Sequence, residues 1–202
     1  MTRIFISHSH VDQKIAYELV GFLMVSLELQ ERNFFYSSNA DRGLEFKPSS
    51  ITDQLKQKLQ DSQALVLLIT ADSLDSDWIL FEVGSFWTTS KPIVPILGSG
   101  LKPGDLPGPL SNLLSISIDN QNFHEKFNGA VNQLAVELGI EPVWTERRQI
   151  ELGKFTTELK AWKSQRSATA KQQIKALKTQ LEESEKKYRQ QIEQKEAVFQ
   201  QA

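Results

Sequence analysis

The sequence predicts an α/β fold, a doubly wound five-stranded parallel sheet followed by a helical extension. Three observations predict it. Five short apolar segments alternate with stretches of helical periodicity between Ile4 and Leu138, the pattern of repeated strand–helix units. The longest, Ala64 to Ile69, is six apolar residues without a break, as expected of a strand buried on both faces of a parallel sheet. After Pro142 there is no proline and after Gly153 no glycine, so the C-terminal stretch reads as helix.

The elements follow in order. Ile4-Phe5-Ile6 is the first strand, and Ser7-His8-Ser9-His10-Val11-Asp12 is a polar loop in which Asp12 is placed to cap the next helix. Ile15, Leu19, Phe22, Leu23 and Leu27 recur at helical spacing. Phe34-Phe35-Tyr36 is the second strand, and Ser37 to Pro48, containing Gly43, is a loop. Ser50 and Asp53 form a capping pair for the stripe Ile51, Leu55 and Leu59. The third strand, Ala64–Ile69, ends in a polar break, Thr70 to Asp77; a second apolar segment, Trp78 to Trp87, carries Glu82 as its only charge. Ile93 to Leu97 is the fourth strand, in which Pro95 predicts a bulge or incomplete pairing. Gly98 to Pro109 holds four glycines and three prolines and is a loop. Ser115 to Ile118 is a short fifth strand. Phe123, Phe127, Val131, Leu134 and Leu138 mark a closing helix with Gly139 at its C′ position.

In the tail, Phe155, Leu159 and Trp162 form one apolar stripe and Ala170, Ile174, Leu177, Leu181 and Tyr188 another. The stripes do not join in phase, because Trp162 to Ala170 is eight residues. A long amphipathic helix or a helical hairpin is expected, with coiled-coil pairing as one arrangement. The expected division is 1–140 for the α/β domain and 141–202 for the extension.

Composition bounds the function. The 202 residues include no cysteine, which excludes disulfides, thiolate nucleophiles and Cys-based metal sites in this chain. Met1-Thr2-Arg3 leads straight into a strand, so no signal peptide is expected. No apolar run approaches the roughly 20 residues that span a bilayer. A cytoplasmic location without membrane contact is expected. Residues 1–145 carry 10 Lys+Arg and 17 Asp+Glu, net −7; residues 146–202 carry 13 and 8, net +5. Two segments with different tasks are implied. The tail's cations are interspersed with glutamates, which reads as a solvated helical face and not as a nucleic-acid site.

With sheet order 2-1-3-4-5, the flavodoxin-like arrangement, the order reverses between strands one and three, and ligands bind in the crevice there. The loop Ser7–Asp12 and the helix carrying Trp78 and Glu82 both reach that crevice. Trp78 and Glu82 are four apart and share a helix face. Glu82 also has a structural reading: a carboxylate in an early helical turn is favoured by the macrodipole. A capping box does not explain it, because Ile79 stands three residues before.

The motifs Ile4-Phe5-Ile6-Ser7-His8-Ser9 with Asp12, Phe35-Tyr36-Ser37-Ser38 with the Gly43 loop, Ser76-Asp77-Trp78-Ile79-Leu80-Phe81-Glu82 and Pro92 to Leu97 stand in order over about residues 1–140. In this the chain resembles a TIR (Toll/interleukin-1 receptor) domain of the bacterial kind. The resemblance implies a flavodoxin-like fold and one of two activities. Many members cleave NAD+ at the nicotinamide–ribose bond; others act only as self-associating adaptors. In the enzymes the Glu of the Trp-x-x-x-Glu segment is catalytic, and it matches Glu82. Together with the crevice, the resemblance gives Glu82 as catalytic residue and Trp78, Phe5, Ser7, His8, Asp12, Ser38, Arg42 and Gly43 as substrate-binding residues. Trp78 either stacks on the nicotinamide or packs its helix on the sheet. Arg42 and Lys47 either meet phosphates or lie in solvent.

Cleavage of this bond needs no acid on the leaving group, since nicotinamide departs neutral. A single carboxylate beside the ribose can oppose the oxocarbenium charge, whereas ordinary glycosidases use two carboxyl groups. NAD+ is then a substrate, and no cofactor or metal is expected. A Ser-His-Asp hydrolase built from Ser7, Ser9, His8, His10 and Asp12 lacks a nucleophile elbow. The two histidines lack further metal ligands at suitable spacing, and Gly98-Ser99-Gly100 lacks the rest of a dinucleotide fingerprint. The expectation is therefore an NAD+ nucleosidase giving nicotinamide and linear or cyclic ADP-ribose, with a role in bacterial immunity implied by the resemblance. The alternative is a non-enzymatic TIR adaptor. Expected partners are NAD+, further copies of the chain through the TIR domain and the C-terminal helices, and a separate sensor or effector protein.

Overall fold

The computed structural model describes residues 2–36, 56–74, 83–106, 108–163, 179–180 and 184. The expected loop 37–48, the Ser50–Asp53 cap, the segment holding Trp78 and Glu82, and the second tail stripe lie outside the described residues.

Five strands form one sheet: β1 (Ile4–Ser7), β2 (Phe34–Tyr36), β3 (Ala64–Ile69), β4 (Ile93–Leu97) and β5 (Ile116–Ser117). Their order is β2-β1-β3-β4-β5, and every pairing is parallel. Helices α1 (Gln13–Ser26), α2 (56–61), α3 (Ala71–Leu74), α4 (83–87), α5 (Phe123–Glu137) and α6 (146–163) accompany the strands.

The sheet's burial follows from its residues. All six side chains of β3 are buried, as a continuous apolar run in a central parallel strand requires. Phe5, Leu65, Leu67, Ile69 and Leu97 pack with Leu59 of α2, Val83 and Phe86 of α4, and Leu106 and Leu110 of the loop after β4. Strand alternation sends Ile4, Ile6, Val66 and Ile96, all buried, to the opposite face. Right-handed crossovers put α1 on the face opposite α2 and α4, because the chain steps from β1 to β2 in the reverse direction. α5 ends in Gly139 at φ +69. Ile140 N–H donates to Ala135 O (2.8 Å) and Gly139 N–H to Val136 O (3.0 Å), a Schellman closure that requires a left-handed residue at C′.

Pro95 causes no bulge: Leu67 pairs with Pro95 within an unbroken register from Leu65–Ile93 to Ile69–Leu97. Leu65 N–H donates to Pro92 O and Gly98 N–H to Ile69 O, so residues 94, 96 and 98 face β3 and Pro95 faces the other way. On that side β5 pairs only with Ile96 and Leu97, so the missing N–H leaves no ladder bond unmade. The expected incomplete pairing is found; the bulge is not.

The chain divides into two compact units, Met1–Leu159 and Lys160–Ala202. In the first, α6 contributes Leu152, Phe155 and Leu159 to the core. The Phe155 ring lies 5.3 Å from Phe127 and 6.3 Å from Phe123, and Phe22 of α1 lies 5.1 Å from Phe127. Arg148, fully buried, donates to Val143 O and to the side-chain oxygens of Asn128 and Asn132 on α5. Its guanidinium lies 4.2 Å from the Trp144 ring. Lys14 of α1 pairs with Glu158 at 2.6 Å. In the second unit the described residues, 160–163, 179–180 and 184, are helical. Among the described residues no helix is long and apolar enough to cross a membrane.

Candidate functional site

The order of strands reverses between β1 and β3, and that is where the crevice of a doubly wound sheet opens. Ser7 pairs with Leu67, so the loop after β1 and the residues after β3 leave the sheet side by side.

The first wall is the loop 8–12. Ser9 is extended and precedes a short 3-10 turn, His10–Asp12, closed by Asp12 N–H on Ser9 O at 2.9 Å. Asp12 occupies the N-cap position of α1, as expected, but its carboxylate makes no capping bond. The carboxylate turns into the protein, where its Oδ2 accepts from Ser9 Oγ at 2.5 Å and from Thr70 Oγ1 at 2.8 Å. The second wall begins at Thr70. Ser73 Oγ donates to Thr70 O at 2.9 Å and accepts from Thr70 N–H at 2.6 Å. Asp12 and Ser73 are wholly buried and Thr70 nearly so.

His8 lies beside this network, 4% exposed. Its Nδ1 is 3.5 Å from Ile6 O, and its ring meets Tyr36 edge-on at 6.1 Å. Tyr36 in turn meets Tyr17 at 5.3 Å. Burial pulls the His8 pKa below the usual imidazole value; the Ile6 carbonyl and Asp12 oppose that shift, and His10 adds to it. Burial therefore favours the neutral imidazole over the charged one.

The structure brings Ser7, His8 and Asp12 together at the C-terminal ends of β1 and β3, all buried. Phe5 is fully buried within the core cluster beside Leu65 and Leu67. Glu82, Trp78, Ser38, Arg42 and Gly43 lie outside the described residues. Ser9 donates its hydroxyl to the Asp12 carboxylate; a serine-hydrolase triad would need that proton directed to an imidazole. Sequence reasoning passed over Thr70 and Ser73, although Thr-x-x-Ser after a buried strand is a side-chain turn signal. It also passed over Arg148, which nothing in a charged helical stretch distinguishes from its exposed neighbours.

A second concavity, of about 820 Å³, lies between the N-terminal half of β4 and α5. Its walls include Ile93, Val94, Ile116, Ala130 and Leu134. Leu114 stands at its edge, 95% exposed.

A parallel five-stranded sheet in this order, with helices on both faces, defines a flavodoxin-like α/β domain. The TIR domain family matches residues 4–135, and the chain belongs to that family. Among solved structures, a metazoan TIR-STING receptor from C. gigas in complex with 2′,3′-cGAMP is similar at 24% identity and a TM-score of 0.46, covering 69% of this chain and 40% of that one. A second structure of the C. gigas receptor matches at 24% identity and a TM-score of 0.43 over the same shares. The chain thus spans less than half the length of these receptors. No curated protein matches.

Proposed function

We propose that this TIR protein is an NAD+ nucleosidase, with Glu82 as its catalytic carboxylate. The observation that carries the reading is the strand reversal between β1 and β3, followed in sequence by Trp78-x-x-x-Glu82. Membership of the TIR family supports it, since many TIR domains cleave this bond.

In the reaction the C1′–N bond of the nicotinamide riboside breaks, and its electron pair neutralises the pyridinium ring. Nicotinamide leaves without a proton. The ribose cation is opposed by the Glu82 carboxylate, a fixed charge of the kind that contributes ~10²–10³-fold in rate. Water then attacks C1′ and releases a proton, giving linear ADP-ribose; attack by an adenine nitrogen or a hydroxyl of the same molecule gives a cyclic product. Trp78 stacks on the departing ring, and Ser38, Arg42 and Gly43 supply substrate contacts from the stretch that follows β2 in sequence. A cysteine-free chain suits a reducing compartment, and we place the activity in the cytoplasm, in NAD-depleting defence.

The second reading is an adaptor that works by self-association alone. The exposed Leu114 beside an apolar groove favours assembly in either case. Incubation with NAD+ and chromatography of the products separates the two, with Glu82→Gln as control. The variant keeps the size of the side chain and removes its charge. Nicotinamide release should vanish in a protein with an unchanged thermal melt; near-normal turnover would remove Glu82 from the mechanism.

A further inference from the structure

We infer that Asp12 is a positioning residue that ties the two walls of the β1–β3 crevice together through Thr70, and not a group that meets substrate. Its carboxylate is wholly buried, so a ligand in the crevice does not reach it. Its Oδ2 accepts one hydrogen bond from the Ser9 hydroxyl, in its own loop, and one from the Thr70 hydroxyl, on the facing wall. The second bond spans 58 residues of sequence. An ionised carboxylate only accepts, and one oxygen can take two donors. Bonds of this charge-assisted kind are about twice as strong as neutral ones. Thr70 is itself fixed, because Ser73 holds both its N–H and its carbonyl. The loop after β1 and the first turn after β3 therefore keep one spacing, and a shift of either strains a buried carboxylate.

The kinetic part of the test rests on the NAD+-cleavage reading; the exchange part does not. Thr70→Val keeps the shape and removes the hydroxyl, and Thr70→Ser restores it. Below the melting transition, Thr70→Val should lower kcat/KM for nicotinamide release about tenfold, the order of one lost charge-assisted bond. Thr70→Ser should return it to within about twofold. In an Asp12→Asn background, Thr70→Val should add little, since both variants remove one interaction. Wild-type kcat/KM in Thr70→Val, no rescue by Ser, or fully additive effects would each overturn the assignment. Amide hydrogen exchange is read alongside. In Thr70→Val, protection should fall together at Val11–Asp12 and at Ala71–Ser73; a loss confined to 71–73 would overturn the clamp. Should Thr70→Val not fold, Asp12→Asn is read at Ala71–Ser73, where unchanged protection rejects the clamp. Wild-type protein that releases no nicotinamide refutes the enzyme reading, and the exchange data then judge the clamp alone.

Discussion

The Phe155 ring packs 5.3 Å from Phe127, which makes the first turns of the C-terminal helix part of the α/β domain's own core. Leu152, Phe155 and Leu159 are buried there. Truncating one buried Phe costs ~3–5 kcal/mol, a large share of the ~5–15 kcal/mol that holds a domain folded. A chain ending at residue 145 also uncovers Phe22, Phe123 and Phe127. It should be unfolded or melt far below the full chain, whereas one ending at 163 should melt within a few degrees of it. Circular dichroism melts check this, and equal melting of the two truncations would contradict it. A test of the tail's part in assembly therefore belongs on the cut at 163.

Arg148 holds that helix through a fork. Its guanidinium reaches one backbone carbonyl and two asparagine side chains, on two different segments, and among the described residues no carboxylate pairs with it. Burial lowers its pKa from the usual guanidinium value. Lysine keeps the charge but offers a compact ammonium in place of a planar fork. Arg148→Lys should destabilise by ~1–3 kcal/mol, the cost of a buried acceptor left unmet. Urea melts measure it; an unchanged midpoint would mean the fork is dispensable.

His8 predicts a pH dependence. Burial lowers its folded pKa from 6.5, so the unfolded chain binds the proton more readily. Stability from this group is fully present above pH ~6.5 and is lost as pH falls through the lower folded pKa. Wild-type melting temperature should fall between pH 7 and 5 by more than that of His8→Gln. Parallel curves for the two proteins would show that His8 does not contribute.

Local pattern was enough for the strands. Ala64 to Ile69 reads as a buried strand and is one, because its six side chains need cover on both faces. The fifth strand is legible in place but not in length: Ser115–Ile118 is expected and the strand is Ile116–Ser117. Pro95 announces the incomplete pairing but not its form, since sequence does not say which side of a strand an N–H faces. Asp12 is legible as a cap position, but its partner Thr70 is remote in sequence. The stripe Phe155–Leu159 announces a buried face without naming what buries it. That answer lies in Phe123 and Phe127 of another helix. The catalytic role proposed for Glu82 rests on the resemblance of its motif to the TIR family and on strand order, and the residue lies outside those described.

Leu114 predicts the assembly surface. It is 95% exposed, at the edge of the groove walled by Ile93, Val94, Ile116 and Leu134. Beside it the β5-facing edge of β4 lacks a strand partner over Ile93–Pro95, because β5 meets only Ile96 and Leu97. An apolar patch beside an open strand edge is where another chain docks. On the self-association reading proposed above, the occupant is a second copy of the chain. Leu114→Asp places a charge in that contact while changing a side chain that packs on almost nothing, so its cost to the fold should stay within ~0.5 kcal/mol. Light scattering at matched micromolar concentration should give a smaller mean mass for Leu114→Asp than for wild type, with the melt unchanged. If turnover depends on apposed domains, NAD+ cleavage should fall with the mass and recover as concentration rises. Equal mass for the two proteins would place the assembly contact elsewhere on the domain or in the tail.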